Sequence, residues 1–225
     1  MYKPRSVLVL VVLSVGVVHS WDFAVVSGKQ IDFFLKDNIT HSISSDQFNS
    51  LSASAYDALH NTLMFVDNQA DNSSVYRYNF TSNDFQLILT RKQIEDIAYD
   101  PVKDLLFWIQ ERIIFSMQLK SGSRNVVSNQ NLVIELHDEI PTSIAVDSCE
   151  GFVYWTNKKI SKPTIEKVRF DGSVREVVVD KDIHEPYRLI IDPEIKKMFW
   201  IDALSVLLPN IHLRNKLKEF KSVKG

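Results

Sequence analysis

Short apolar runs recur along the chain at a nearly constant interval. Each run places four or five apolar or aromatic residues side by side, in LMFVD (63–67), LLFWIQ (105–110), FVYWTN (152–157) and MFWID (198–202). Their equivalent aromatic positions, separated by 43, 47 and 45 residues, are Phe65, Trp108, Trp155 and Trp200. A half-buried strand alternates apolar with polar residues, so these continuous runs predict strands that are covered on both faces.

An aspartate stands eight residues before each of these aromatic positions, at Asp57, Asp100, Asp147 and Asp192. Two apolar or aromatic residues precede it every time, which predicts a short strand that ends at the aspartate. The carboxylate can then accept backbone N–H groups in a turn, and Pro101 and Pro193 follow directly, as is usual in turns.

Further strands complete each repeat. A third, alternating strand is predicted in VYRYNF, IIFSMQL and TIEKVRF, each followed by a turn signal. Four short antiparallel strands with a period of about 40–50 residues predict an all-β fold, a β-propeller with four-stranded blades. The segment FAVVSGKQIDFF (23–34) predicts the later strands of another blade whose first strand is absent at the N-terminus, so the chain would supply about four and a half blades.

The segment FVYWTN, preceded by IAVDSCEG and followed by IEKVRFDGSVREVV, resembles the YWTD repeat, which is the class B repeat of low-density-lipoprotein receptors. The resemblance covers about residues 22–202 and implies a six-bladed propeller that is normally followed by EGF-like modules. Within the family the arrangement is most similar to an insect group with a single membrane span, which is associated with spermatogenesis and oogenesis. Because the present sequence has neither EGF cysteines nor a span, the resemblance implies a truncated chain from a single-pass parent protein.

The first twenty residues predict a cleaved secretory signal. Lys3 and Arg5 precede an apolar run from Val7 to Val18, which is shorter than the roughly 20 residues that cross a bilayer, and cleavage is expected near Ser20. A secretory route makes the Asn-X-Ser/Thr sequons at Asn38, Asn72 and Asn79 predicted glycosylation sites. The expected location is the extracellular face of the cell membrane for the parent protein, or the exterior if this chain is complete.

Charge separates the end of the chain from its body. The predicted organisation is a signal peptide (1–20), an incomplete YWTD propeller (21–203) and a basic tail (204–225). Removal of the signal leaves 24 basic against 28 acidic residues, and the tail alone carries five basic residues and one acid, so the body has a net charge of −8. Nucleic acid is therefore not expected as a partner of the body.

The tail itself allows three interpretations. Ile211 and Arg214 can belong to a degraded third strand, whereas Leu213, Leu217 and Phe220 can share the apolar face of a helix. The interpretation that we favour is an alternative or truncated end of the chain with no selected structure.

No catalytic motif is present: the sequence has no HExxH, GxSxG, P-loop or dinucleotide-binding glycine pattern. Cys149 is the single cysteine, which excludes an internal disulfide, and neither a metal nor a cofactor is expected. The four repeated aspartates are interpreted as turn residues and not as calcium ligands. The residues that close the aromatic runs, Asp67, Gln110, Asn157 and Asp202, share only a hydrogen-bond acceptor, which predicts that they satisfy backbone N–H groups.

The leading functional hypothesis is a non-enzymatic extracellular interaction module of a receptor-like protein. It would bind an unknown extracellular protein ligand through loops at one rim, to which the charged segments HDEIPT (137–142) and KDIHEPYR (181–188) can contribute. One alternative is a six-bladed propeller enzyme such as a calcium-dependent lactonase. The other is a truncated product with little function of its own.

Overall fold

The computed structural model describes residues 7–11, 23–119, 130–159, 161–192, 196–203 and 215–221. In these ranges every extended regular element is a β-strand, and there is no helix long and apolar enough to cross a membrane. The chain divides into two compact units, Met1–Ile97 and Ala98–Gly225.

The first unit holds two antiparallel four-stranded sheets. The strands of the first sheet are β1 (Val7–Val11), β2 (Phe23–Ser27), β3 (Gln30–Leu35) and β4 (Asn38–Ser44). Those of the second are β5 (Leu51–Asp57), β6 (Thr62–Asn68), β7 (Ser73–Asn79) and β8 (Asp84–Arg91). In both sheets the strands lie in chain order. Buried residues from the two sheets share one core, in which the Phe48 ring packs edge-on against Phe65 at a centroid distance of 5.3 Å.

The second unit continues the pattern, and the division between the units falls within β9. The third sheet consists of β9 (Ile94–Asp100), β10 (Leu105–Gln110), β11 (Ile113–Gln118) and β12 (Gln130–Glu135). The fourth consists of β13 (Pro141–Asp147), β14 (Phe152–Asn157), β15 (Thr164–Arg169) and β16 (Glu176–Val179). The fifth has three strands, β17 (Pro186–Asp192), β18 (Lys197–Ala203) and β19 (Asn215–Lys221). Repeated four-stranded antiparallel sheets confirm the predicted all-β architecture.

The aromatic runs form the second strands of their sheets, and β14 shows why they lack alternation. All six of its residues are buried. Val153 and Trp155 belong to one hydrophobic core, whereas Phe152 and Tyr154, which point the opposite way, belong to another. Both faces of the strand are therefore covered by apolar neighbours, as the sequence predicted.

The predicted absence of a first strand in the N-terminal blade is wrong for this structure. β1 pairs antiparallel with β2, from Val7 opposite Ser27 to Val11 opposite Phe23. The edge of β2 presents backbone N–H and C=O groups that need partners, and VLVLV is a sequence of high strand propensity that can supply them. Cleavage of residues 1–20 stays a prediction.

The structure of the tail also differs from the favoured interpretation. β19 pairs antiparallel with β18 over seven residues, so Leu217 and Phe220 lie in a strand and not on a helix. The edge of β18 presents the same kind of unpaired backbone groups, which explains why the basic segment Asn215–Lys221 pairs with it as a strand. Ile211, Leu213 and Arg214, on which the earlier interpretations depended, lie outside the described residues.

Candidate functional site

For three of the four repeated aspartates, the structure describes the turn that follows the aspartate. In each turn Oδ1 accepts one or two backbone N–H groups from residues two and three positions later, at 3.0–3.2 Å, and this holds for Asp57, Asp100 and Asp147. These three side chains are buried. The fourth, Asp192, is partly buried, and residues 193–195 after it lie outside the described ranges. The first three carboxylates thus have the turn role expected from the sequence, and for Asp192 that role stays a prediction.

A metal site is not formed by these or other side chains of the described residues. Within those residues no three His, Cys, Asp or Glu side chains come close enough together to hold an ion.

Two of the four run-closing residues are carboxylates that hold the segment leading into their own sheet. Asp67 Oδ1 accepts the N–H groups of Asn49 and Ser50, both at 2.8 Å, just before β5 begins. Asp202 Oδ1 accepts those of His184 at 3.1 Å and Glu185 at 2.7 Å, just before β17. Both carboxylates are fully buried, so these bonds compensate for the loss of water around the N–H groups and around Oδ1, whereas Asp67 Oδ2 has no hydrogen-bond partner among the described residues.

Asn157 performs the same task with an amide. Its Oδ1 accepts the N–H groups of Ile140 at 3.0 Å and Lys159 at 3.1 Å, and its Nδ2 donates to the carbonyl of Lys162 and the hydroxyl of Thr164, both at 3.3 Å. A neutral amide can donate as well as accept. Asn157 therefore fixes the end of its own strand, the turn that follows and the linker before β13.

Gln110 is the exception among the four. Its Oε1 is buried and has no hydrogen-bond partner within the described part of the chain. The glutamine side chain is one methylene longer than that of asparagine, so the same backbone position does not place the acceptor in the same location. The prediction of a shared acceptor role is wrong at this position.

The four aromatic positions of the repeat are all buried and belong to the hydrophobic cores: Phe65, Trp108, Trp155 and Trp200. Their exposed fractions are between 0% and 4%, which leaves no surface for a ligand. Only Trp155 has a partner for its indole N–H among the three described tryptophans, because Nε1 donates to Glu139 Oε2 at 3.2 Å.

Glu139 is part of a polar cluster that sequence reasoning missed. The Arg175 guanidinium bonds to Glu139 and, at 2.9 Å from Nε, to Glu166, and it lies 5.3 Å from the Trp155 ring. Burial lowers the pKa of Arg175, but the hydrogen bonds to the two carboxylates outweigh burial and raise it. The two pairings span 36 and nine residues, and neither follows a strand period, so no local signal in the sequence identifies the cluster.

The two charged linkers 137–142 and 181–188 lie next to each other in the second unit. The Thr142 hydroxyl donates to the Pro186 carbonyl at 3.2 Å. Lys158, which follows β14, contacts both linkers, because its N–H donates to the Ile140 carbonyl at 3.0 Å and its Nζ lies 5.4 Å from the centre of the Tyr187 ring.

Lys159 adds an ion pair with Asp138. We name Asp138, Ile140, Lys158, Lys159 and Tyr187 the linker surface. At its centre Ile140 is 43% exposed.

A polar cavity of about 570 Å³ lies in the first unit. It is formed by the turn between β2 and β3 and by the end of β4, and its charged groups are Lys29, Asp32 and Asp46. Sequence reasoning did not predict it, because none of these residues belongs to the repeated pattern.

The three predicted glycosylation sites differ in their surroundings. Asn38 and Asn72 are exposed. Asn79 is partly buried, and its Oδ1 accepts the N–H groups of Thr81 at 2.8 Å and Ser82 at 3.2 Å.

Solved structures place this architecture in a fold class. No protein-family model matches the chain. Nidogen, from a nidogen–laminin complex, superposes with a TM-score of 0.66 over 80% of this chain and 69% of its own, at 18% identity. A luciferin-regenerating enzyme gives 0.67 over 89% and 74% at 12% identity, and a gluconolactonase from Xanthomonas campestris gives 0.63 over 79% and 64% at 14% identity. The chain has the β-propeller fold, as the sequence predicted.

Comparison with curated protein sequences gives a more specific result than the fold comparison. The chain is 30% identical over 207 residues to "Protein cueball" of Drosophila persimilis, covering 87% of this chain and 31% of that protein. For cueball of Drosophila ananassae the identity is 31% over 201 residues, with 84% and 31% covered. The chain is therefore homologous to cueball proteins and spans about a third of their length.

Proposed function

We propose that this chain is an extracellular interaction module, the propeller part of a receptor-like cell-surface protein, without enzymatic activity. The similarity to cueball and the fold shared with nidogen, a protein solved in complex with laminin, support this proposal. By the resemblance to the insect group of YWTD proteins, the biological setting is germ-cell development in both sexes.

The observation that carries the proposal is the linker surface. Two charged linkers that are separated along the chain meet there, and their backbones are held by Asn157 and Asp202. An exposed isoleucine and a partly exposed tyrosine stand among charged side chains, as at the centre and rim of many protein interfaces. Asn157 and Asp202 hold the backbone of the linkers in place. We therefore assign the contact with a ligand to the exposed side chains of the linkers.

The test uses the full chain, secreted from insect cells and labelled, in binding titrations on intact ovary and testis cells. Saturable binding is expected, and Ile140→Asp is expected to weaken it at least tenfold. Val177→Asp is the matched control, because Val177 is 50% exposed on the outer strand of the same unit. Equal binding by both variants, or no saturable binding at all, would remove the linker surface from consideration.

A second candidate is an enzyme, favoured by the structural likeness to a gluconolactonase. Isothermal titration of the purified full chain with Ca²⁺, together with a lactone hydrolysis assay, separates the two candidates. Stoichiometric Ca²⁺ binding with lactone turnover would support the enzyme and contradict the interaction module. Absence of both is the result expected from the proposal.

A further inference from the structure

Three cations are stacked on two aromatic rings at one end of the fourth sheet. Lys103 Nζ lies 4.9 Å from the centre of the Phe170 ring. The Phe152 ring has two cations over it, Lys167 Nζ at 4.4 Å and the Arg169 guanidinium carbon at 4.8 Å. We name these five residues the cation–aromatic patch.

The two stacks lie on opposite faces of the fourth sheet, because Phe170 packs against the core that holds Val153 and Phe152 belongs to the other core, and they approach each other at the end of the sheet near Gly151. Gly151 directly precedes Phe152, and its carbonyl accepts the N–H of Phe170 at 3.1 Å. Lys103 Nζ lies 3.6 Å from the point that a Cβ on Gly151 would occupy. The Lys103 head is therefore fixed beside the backbone that connects the two rings.

Two of the three cations have no ion pair with a carboxylate of the described residues. Lys167 is nearly buried and pairs with Glu176 at 3.2 Å. Lys103 and Arg169 are exposed, and no described carboxylate lies within 4.0 Å of either. Asp171, the carboxylate nearest to Arg169 along the chain, accepts the N–H and the hydroxyl of Ser173 at 2.9 and 2.6 Å; these bonds and, to a smaller extent, the charge of Arg169 lower the pKa of Asp171.

Stacking on a ring restricts a long side chain before any ligand arrives, so less conformational entropy remains to be lost on binding. Lysine and arginine heads held in this way present N–H donors outward, and charge-assisted bonds to sulfate or carboxylate oxygens are stronger than neutral ones. The chain as a whole is negatively charged, so non-specific attraction of an anionic ligand to the rest of the surface is not expected.

We propose that the cation–aromatic patch binds sulfated glycosaminoglycan. A chain of regularly spaced sulfates needs only exposed cations at the surface and no deep pocket, which fits the exposure of Lys103 and Arg169. The proposal rests on the extracellular location put forward above, because that is where such glycans occur.

The probe is a heparin-derived octasaccharide, titrated against the secreted full chain by surface plasmon resonance. The double variant K103Q/R169Q is expected to lower affinity at least tenfold. The matched control K29Q/K92Q removes the same charge from exposed positions in the first unit and is expected to change affinity less than twofold. Raising NaCl from 50 to 300 mM should weaken wild-type binding strongly, because exposed charges are screened.

A further variant should change the affinity for the octasaccharide in the opposite direction. Glu150 is exposed and adjoins Gly151, so its carboxylate repels an anion at the patch. E150Q is expected to raise the affinity for the octasaccharide two- to fivefold. Circular dichroism and melting temperatures of all variants establish that they are folded.

The proposal is overturned if the wild type does not bind the octasaccharide or if K103Q/R169Q binds it as well as K29Q/K92Q does. Equal competition by a polyglutamate peptide of the same length would assign the patch to acidic peptides instead of sulfated glycan. A chain that is retained inside cells but shows the expected variant effects in vitro would contradict the extracellular proposal and leave the chemistry of the patch intact.

Discussion

Asn157 Oδ1 accepts the backbone N–H of Ile140 at 3.0 Å, and this bond joins the last residue of a middle strand to the linker before the first strand of the same sheet. Ile140 directly precedes β13, so the bond helps to fix where that strand begins. Asn157 is only 3% exposed, and water cannot easily replace its amide. Asn157, which stands at the recurring end position of the aromatic runs, thus helps to fix the surface linker 137–142.

Replacing Asn157 with leucine, which has the same number of side-chain heavy atoms but no hydrogen-bonding group, should destabilise the fold. The N–H groups of Ile140 and Lys159 would lose the acceptor that they share, and a group left unsatisfied costs about 1–3 kcal/mol when it is buried and less when it is partly exposed. We expect Asn157→Leu to lower the free energy of unfolding by about 2–4 kcal/mol in urea titrations of the full chain.

Gln110 offers the matched control for Asn157. Its Oε1 already lacks a partner in the described structure, so Gln110→Met removes an unsatisfied acceptor and keeps the volume. The expected change is within about 1 kcal/mol of zero. A loss at Gln110→Met as large as at Asn157→Leu would show that volume and not hydrogen bonding explains both effects.

Gly172 is expected to tolerate no side chain. It adopts a left-handed φ of +84°, and a Cβ would lie 2.3 Å from the Val133 carbonyl oxygen on β12. The backbone of a paired strand cannot move away cheaply, so Gly172→Ala should cost at least about 3 kcal/mol or prevent folding.

Gly28→Ala separates the destabilisation caused by a left-handed backbone from the destabilisation caused by a steric clash of the added Cβ. Gly28 has a similar φ of +61° but nothing within 4 Å of its added Cβ. We expect it to cost only about 1 kcal/mol, the ordinary left-handed penalty for a residue with a Cβ. Equal melting temperatures for the two alanine variants would contradict the role given to Val133.

The strands of the repeat could be predicted because their signal is local. Burial on both faces appears as an unbroken run in FVYWTN, and a turn aspartate appears at a fixed offset before it. β1 and β19 were missed since they pair with edges of neighbouring strands and carry no repeat signature of their own. Their formation depends on backbone groups of β2 and β18 that need partners, which a search for sequence periods does not detect.

The candidate sites were less predictable than the fold. The linkers were identified by their charge, but only the structure brings Lys158 into contact with both Ile140 and Tyr187. Similarly, Lys103 and Phe170 are 67 residues apart in the sequence, and their stacking depends on the packing of two sheets. Contacts of this kind are set by tertiary packing, whereas the sequence reports mainly strand period and turn chemistry.

Removing the Arg175 guanidinium from the polar cluster should lower the free energy of unfolding, because two buried carboxylates lose their counter-ion. Arg175→Met leaves Glu139 and Glu166, which are 8% and 6% exposed, without a counter-ion. We expect a loss of about 2–4 kcal/mol at pH 7, less than for a fully buried cation because the Arg175 side chain is 36% exposed.

A variant without the charges identifies the cause. The triple variant E139Q/E166Q/R175M should recover part of the loss of Arg175→Met at pH 7, because it no longer buries carboxylates without a counter-ion. An unchanged deficit in the triple variant would refute the explanation.

The three sequons should differ in glycan occupancy when the full chain is expressed in insect cells. Asn38 and Asn72 are exposed, although Asn38 Nδ2 donates to the Lys36 carbonyl at 3.0 Å, whereas Asn79 is partly buried and its Oδ1 is engaged in its turn. We expect high occupancy at the first two and lower occupancy at Asn79, measured by mass spectrometry after enzymatic deglycosylation in ¹⁸O water. Unmodified asparagine at all three would argue against the secretory route itself.

Tyr154 has a fully buried hydroxyl without a partner among the described residues. Tyr154→Phe removes an unsatisfied polar group and keeps the ring, so it should be neutral or stabilising by up to about 1 kcal/mol at pH 7. Tyr56→Phe is the control, because the Tyr56 hydroxyl donates to Asn61 Oδ1 at 2.9 Å and its loss should destabilise the fold.

Alkaline pH tests the same burial in another way. Burial, followed by the charges of Asp147, Glu150 and Glu176, raises the pKa of Tyr154, and burial and Asp57 raise that of Tyr56 to about 12. Above about pH 10 the unfolded chain releases these protons first, so folding stability present below pH 10 is lost as pH rises, by up to about 1.4 kcal/mol per pH unit for each tyrosine. Urea titrations between pH 8 and pH 11 should show a shallower decline for Tyr154→Phe than for wild type. A decline as steep as that of wild type would mean that the Tyr154 hydroxyl ionises freely in the folded protein.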